Sequence, residues 1–141
     1  MKTLTKAIMG KKAGSSFNTA IGGRLYKTIA DEDAVYPYSV FKVVNDRPEY
    51  TFKNTFEDVI TQFSLFSASN SSSEVEDLFT YLKTVYDDCA LTLTGSSLIW
   101  MVRQNANLIL EEHTVKPSSG GESIIWVWAY HVDYNIVFER T

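Results

Sequence analysis

The sequence predicts an α+β fold: a single, mostly antiparallel β-sheet with a long C-terminal hairpin, packed by one main amphipathic helix at about 73–88 and by shorter N-terminal helical segments. Three observations carry this. Val75, Leu78, Phe79, Leu82, Val85, Tyr86 and Cys89 recur at offsets of three and four, which is one apolar stripe on a helix. Trp126, Trp128, Tyr130, Val132, Tyr134, Ile136 and Phe138 alternate with His131, Asp133, Asn135 and Glu139, the period-two pattern of a strand. Between residues 56 and 66 both alternating faces hold apolar side chains, as expected of a strand in the middle of a sheet.

The remaining elements follow in chain order. Residues 3–12 can form a short helix with Leu4, Ala7 and Ile8 on one side, broken by Gly14-Ser15-Ser16. Residues 17–29 are ambiguous, because Gly22-Gly23 opposes a long helix while Leu25, Tyr26 and Ile29 call for burial. Asp31-Glu32-Asp33 reads as a loop, and Pro37 sets an extended start for a strand from Tyr38 to Val44. Arg47-Pro48-Glu49 reads as a turn. Ser67 to Ser73 reads as a polar loop, with Ser73 and Glu76 spaced as a capping box for the main helix. Leu91 to Thr94 and residues 98–110 read as two further strands around a turn at Gly95-Ser96. Residues 112–122, including Pro117-Ser118-Ser119-Gly120-Gly121, read as a long flexible loop that contains His113.

With 141 residues, 45% of them apolar and 21% charged, the chain suits one domain spanning 1–141, its first sixteen residues forming a basic and mobile segment. No apolar run is long enough to span a bilayer, and Lys6, Lys11 and Lys12 interrupt what would be a signal-peptide core. The single Cys89 excludes an internal disulfide and fits a reducing cytosol; Asn70-Ser71-Ser72, a glycosylation pattern, carries no meaning there.

Charge is unevenly distributed beneath a net value of −4. Residues 1–30 hold six cations and no acid, whereas the rest of the chain has a balance of −10. Such polarity favours head-to-tail docking on a neighbouring copy, or contact with nucleic acid, or a simply solvated N-terminus. The candidate interface residues are therefore Lys11, Lys12, Arg24, Asp87, Asp88, Lys116, Pro117, Gly120 and Gly121. Asp87 and Asp88 stand out because acids at a helix C-terminus oppose its dipole.

Length adds a geometric argument for partners. Fifteen strand residues extend roughly 50 Å, while a compact domain of this size has a diameter of about 37 Å. The last hairpin must therefore curl round the core or project, and projecting edges invite another subunit.

Catalytic patterns are missing. Gly10 and Gly14 have the wrong spacing for a phosphate loop, and no dinucleotide fingerprint, nucleophile elbow or zinc-helix motif occurs. His131 and Asp133 share a strand face, the minimum of an acid–base pair or half a metal site, without an evident third member. Cys89 reads as a buried thiol, and Trp126 and Trp128 as a core stripe more than a base-stacking platform. No catalytic residue, metal or cofactor is expected.

Four features together resemble the small tail-completion (minor tail, tail-terminator-like) proteins of long-tailed bacteriophages. They are Gly23-Arg24-Leu25-Tyr26 followed by an acidic stretch and Pro37-Tyr38, the segment Phe56 to Phe66, a Ser-rich loop with the helix ending Tyr86 to Thr92, and the Trp126, Tyr130, Asp133-Tyr134 strand. The likeness runs over roughly 120 residues as an ordered series of elements. It implies a subunit ring, a hexamer, capping the head-proximal end of the tail tube, with the tail tube protein and a head-completion or neck protein as partners. DNA would pass through such a ring without specific binding, no membrane would be involved, and the protein would be found in the virion after assembly in the host cytoplasm. Alternatives are a head-completion or stopper protein of the neck, a small ligand-binding module or enzyme using the His131/Asp133 face, and a nucleic-acid binder using the basic N-terminus.

Overall fold

The computed structural model describes residues 2–31, 34–51, 54–115 and 120–140. Among these residues the elements are helices α1 (Lys2–Lys11) and α2 (Ser16–Ala20), strands β1 (Leu25–Lys27), β2 (Tyr38–Tyr50) and β3 (Thr55–Ser67), helix α3 (Ser73–Tyr86), and strands β4 (Ser96–Val115) and β5 (Ser123–Arg140). All five strands form one sheet in the order β1-β2-β3-β5-β4. Only β1 pairs in parallel, with β2; every other pairing is antiparallel. The α+β architecture, the central place of the strand around residue 60 and the long C-terminal hairpin all match the expectation.

The three helices share one face of the sheet. Val59, Phe63 and Leu65 of β3, Val132, Tyr134, Ile136 and Phe138 of β5, Met101 of β4 and Phe41 of β2 meet Val75, Leu78, Leu82, Val85 and Tyr86 of α3, with Leu4, Ile8 and Phe17 closing the cluster. Burying each large side chain stabilises the fold by roughly 1.5–3 kcal/mol. Phe63 lies at the centre, its ring 4.7 Å from Tyr86, 5.6 Å from Tyr134 and 5.9 Å from Phe41. The Tyr86 hydroxyl donates to the Ile8 carbonyl at 2.8 Å, so one buried bond ties α3 to α1.

The end of α3 explains the misplaced acids. Asp87 is its C-cap, and its Oδ1 accepts from the Tyr134 hydroxyl at 2.6 Å while Arg103 Nε approaches the same carboxylate at 3.3 Å. A buried donor and a cation thus offset the unfavourable helix dipole. Asp88 continues the chain at φ 52 and donates its N–H to the Met101 carbonyl.

Several expectations are corrected. Arg47-Pro48-Glu49 is no turn; it lies inside β2, opposite Asp58, Glu57 and Phe56. Proline is tolerated there because, among the described residues, no strand lies outside β2 beyond Phe41, so the missing N–H breaks no ladder. The reversal instead falls at 51–54, where Thr51 and Asn54 bond each other. Leu91 to Thr94 forms no strand: Leu91 and Leu93 alternate into the core without a ladder partner. The loop expected at 112–122 is shorter, because pairing runs to Val115 opposite Ser123 and places His113 in β4. Ser72, not Ser73, caps α3, through its carbonyl to the Glu76 N–H and with no side-chain bond. Trp126 is no core residue, being 59% exposed, whereas Trp128 packs at the edge of the core.

Two buried hydroxyls in the described residues, those of Ser39 and Thr61, have no hydrogen-bond partner. Thr61→Val keeps the shape and removes an unsatisfied group, so it should stabilise the protein by about 1 kcal/mol. Tyr86→Phe, which removes the buried bond between α3 and α1, should destabilise it by about 1 kcal/mol. Denaturant titration of both variants against the parent chain checks these opposite signs.

Candidate functional site: two free edges and a polar sheet face

Both edges of the sheet are long and open. β1 covers β2 only from Ser39 to Phe41, which leaves Lys42 to Tyr50 as an exposed edge carrying Val43, Val44 and Tyr50. β4 forms the other edge along its whole length and exposes Ile99, Trp100, Val102, Ile109 and Leu110. Its register shifts between Leu98 and Trp100 and again between Arg103 and Asn105, twisting the strand. Apolar side chains beside free backbone groups are the chemistry of strand addition, here interrupted by the bulges of β4 and by the Val43/Asn45 bulge, Pro48 and the charges of β2.

The sheet face away from the helices holds a continuous polar chain. Strand alternation puts Ser64 of β3, His131 of β5 and Glu111 and His113 of β4 on this face, and the β1–β2 connection brings Tyr36 over it. Tyr36 Oη lies 2.8 Å from His113 Nδ1, and His113 Nε2 lies 3.3 Å from Glu111 Oε1. Glu111 Oε2 lies 2.9 Å from His131 Nε2, whose Nδ1 is 2.8 Å from Ser64 Oγ. An ionised carboxylate only accepts, so each Nε2 carries a proton; in the neutral imidazoles each Nδ1 then accepts from its hydroxyl, an assignment that follows from the network. The Phe66 ring packs beside both imidazoles, with centroids 5.2 and 6.1 Å away.

His131 and Asp133 share this face as their spacing implies, but they take different partners. Asp133 accepts from Gln62 Nε2 at 3.0 Å, and Asn135 next along donates to Asp58. Serine, imidazole and carboxylate in series is also the connectivity of nucleophilic hydrolases. Acyl transfer further requires N–H groups aimed at one developing oxyanion. Around Ser64, β3 is paired on both sides, so its backbone donors are committed to the ladders. A cavity of about 400 Å³ beside Ser64 and His131, lined also by Tyr38, Lys42 and Gln62, is open to solvent. Among the described residues no group of three His, Cys, Asp or Glu is placed to hold a metal ion. No helix there is long and apolar enough to cross a membrane.

The sequence-derived interface residues fall into distinct settings. Lys11 ends α1 and is exposed, whereas Lys12 Nζ donates to Asn18 Oδ1 at 2.7 Å. Arg24 holds the Pro37 carbonyl through Nε and Nη2 at 3.2 and 3.0 Å. Asp87 faces Tyr134 and Arg103, Asp88 is exposed, and Gly120 and Gly121 lie exposed at the end of the β4–β5 hairpin with φ of 86 and 79. Lys116 and Pro117 lie outside the described residues. Cys89 is half-buried against Met101 Sδ, and burial pushes its thiol pKa up.

The network missed from the sequence is Tyr36, Ser64, Glu111 and His113. Glu111 and His113 are two apart, a same-face signal hidden by reading that stretch as loop. At the opposite end, partial desolvation and then the neighbouring Glu57 carboxyl push Asp46, which stays exposed on the β2 edge, up to about 6.

Burial alone would raise the Glu111 carboxyl, but the hydrogen bonds and charges of His131 and His113 outweigh it and hold it below the usual range. A depressed carboxylate contributes stability that is present above its unfolded pKa and is lost as pH falls through the folded one. Glu111→Gln should therefore lower stability by about 1 kcal/mol at pH 7. That gap should close as pH falls below roughly 4.3. Thermal melts of both proteins from pH 3 to 8 check this, and a gap independent of pH contradicts it.

No protein-family model and no curated protein matches the chain. A search of solved structures does find the fold: a chain from the virion of a native gene transfer agent particle superposes with a TM-score of 0.73, covering 98% of this chain and 96% of that one at 8% sequence identity. At that identity the likeness establishes a common fold, carried over nearly the full length of both chains.

Proposed function

We propose that this chain is a structural subunit of a phage or prophage particle, forming a ring that caps the head-proximal end of the tail tube and supports head–tail joining. The observation that carries the reading is the end-to-end likeness to a virion chain. Two free sheet edges of unlike composition add to it. A closed ring needs a heterologous contact, in which one surface of each copy meets a different surface of the next. The two edges of this sheet, Lys42 to Tyr50 on one side and β4 on the other, are such unlike surfaces.

The terminator role within the particle rests on the sequence resemblance to tail-completion proteins. A hexameric ring built on an acidic body, with a balance of −10 outside the first thirty residues, would let DNA slide through without adhering. The tail tube protein would meet one rim and a neck protein the other. Nothing in this assignment calls for catalysis, and the Ser64–His131–Glu111 series then serves to fix the hairpin against β3.

Negative-stain microscopy of an induced lysate lacking this gene tests the role. Over-long tubes without heads are the expected result. Tails of normal length beside unattached heads would assign the protein to head completion, and normal infectious particles would overturn the virion reading.

A further inference from the structure

The β4–β5 hairpin continues beyond the rest of the sheet. β3 ends at Ser67 opposite Trp128, yet β4 and β5 stay paired for five more positions, out to Val115 and Ser123. On the helix side of this arm, register places Glu112 opposite Trp126 and Thr114 opposite Ile124, with Leu110 one step below. Leu110, Ile124 and Trp126 are all solvent-exposed, and Glu112 and Glu122 flank them. The arm thus presents an apolar strip with an acidic border.

A complementary surface lies elsewhere on the same molecule. A groove of about 540 Å³ runs between α1 and the irregular segment 90–94, with Ala7 and Leu91 along it, Thr92 and Thr94 on one wall, and Lys6 and Lys11 on the other. Ala7, Ala90 and Leu91 give this groove its apolar part, and Lys6 and Lys11 its basic border. The start of α1 packs by Ser96, Phe138 and Arg140, at the end of the sheet where β4 begins and β5 finishes. The arm face begins at Leu110, fourteen positions along β4 from Ser96, roughly 46 Å in an extended strand. Both surfaces belong to one rigid sheet-and-helix body, so the arm cannot reach its own groove.

We propose that the arm face formed by Leu110, Glu112, Ile124 and Trp126 docks into the Lys6/Lys11 groove of a second copy of this chain. Trp126 supplies the anchoring area and the opposed charges set the direction. Because the two surfaces differ, the contact can repeat head to tail around a ring, as a ring subunit requires. It explains why the basic residues are collected in the first thirty positions and why a tryptophan is left bare on the arm. This rests on reading the chain as a ring subunit and adds the surfaces by which copies meet.

The test uses the full chain, with light scattering after size-exclusion chromatography and with sedimentation velocity, and with circular dichroism to confirm folding. The parent protein should assemble. Glu112→Lys with Glu122→Lys, and separately Lys6→Glu with Lys11→Glu, should each weaken association at least about tenfold, and the chain carrying all four changes should regain it. Trp126→Ala should weaken association about thirtyfold without unfolding the chain, since Trp126 is exposed. Raising salt should weaken the parent's association but leave Trp126→Ala the poorer binder throughout. Assembly unchanged by the charge reversals would overturn the proposed contact while leaving a ring formed through other surfaces. A parent chain that stays monomeric at high concentration, or a groove whose lysines bind DNA and not the arm, would also overturn it. Neither result decides the tail phenotype, which the gene-deletion experiment reads separately.

Discussion

A helix of fourteen residues covers about 21 Å, whereas a strand of twenty covers about 65 Å. This mismatch between α3 and β4 governs the rest of the molecule. The helical layer can bury only the middle of the sheet, and there the Phe63, Tyr86 and Tyr134 rings make a dense centre. At one end α1 covers Phe138, but the end that carries the β4–β5 arm runs out from under the helices. The exposed tryptophan, the bare edge of β2 and the arm beyond Ser67 all follow from strands longer than their cover.

The uncovered sheet needs another means of keeping its register. Opposite the helices, a chain of side-chain hydrogen bonds crosses three strands from Ser64 through His131 to Glu111 and on to His113 and Tyr36. A slip of one residue would turn these groups to the other face, so the network helps to specify the pairing of β4 with β5 and β3. At the other side of the sheet Asp87 does related work, joining the end of α3 to Tyr134 and Arg103. Polar contacts thus hold the geometry where apolar cover is thin, and the edges stay free for neighbours.

What could be read from the sequence divides along the same physical line. The α3 stripe and the β5 alternation were legible because local period alone decides which face of a helix or strand is apolar. Period does not say how far a neighbouring element extends, so Trp126 read as core when it lies past the reach of α3. Leu91 and Leu93 alternate inward without a ladder, which period cannot separate from a true strand. Pro48 read as a turn because a proline's place on an edge depends on what lies beside it. Apart from the Glu111–His113 step, the polar network joins residues 20 to 77 positions apart, and only the pairing of the strands brings them together. Charge polarity and the missing catalytic motifs were visible at once, since both are sums over the chain.

In a ring of such subunits, each neighbour would cover a sheet edge that is open in the single chain. Amide hydrogen exchange, read by mass spectrometry on the free subunit and on assembled particles, tests this most directly. Backbone amides of an open edge exchange readily, and those paired to a neighbour become protected. The outward amides of Lys42 to Tyr50 and of β4 should exchange quickly in the free chain and slow markedly in the particle, while β3 is protected in both. Equal exchange at both edges in the two states would contradict it.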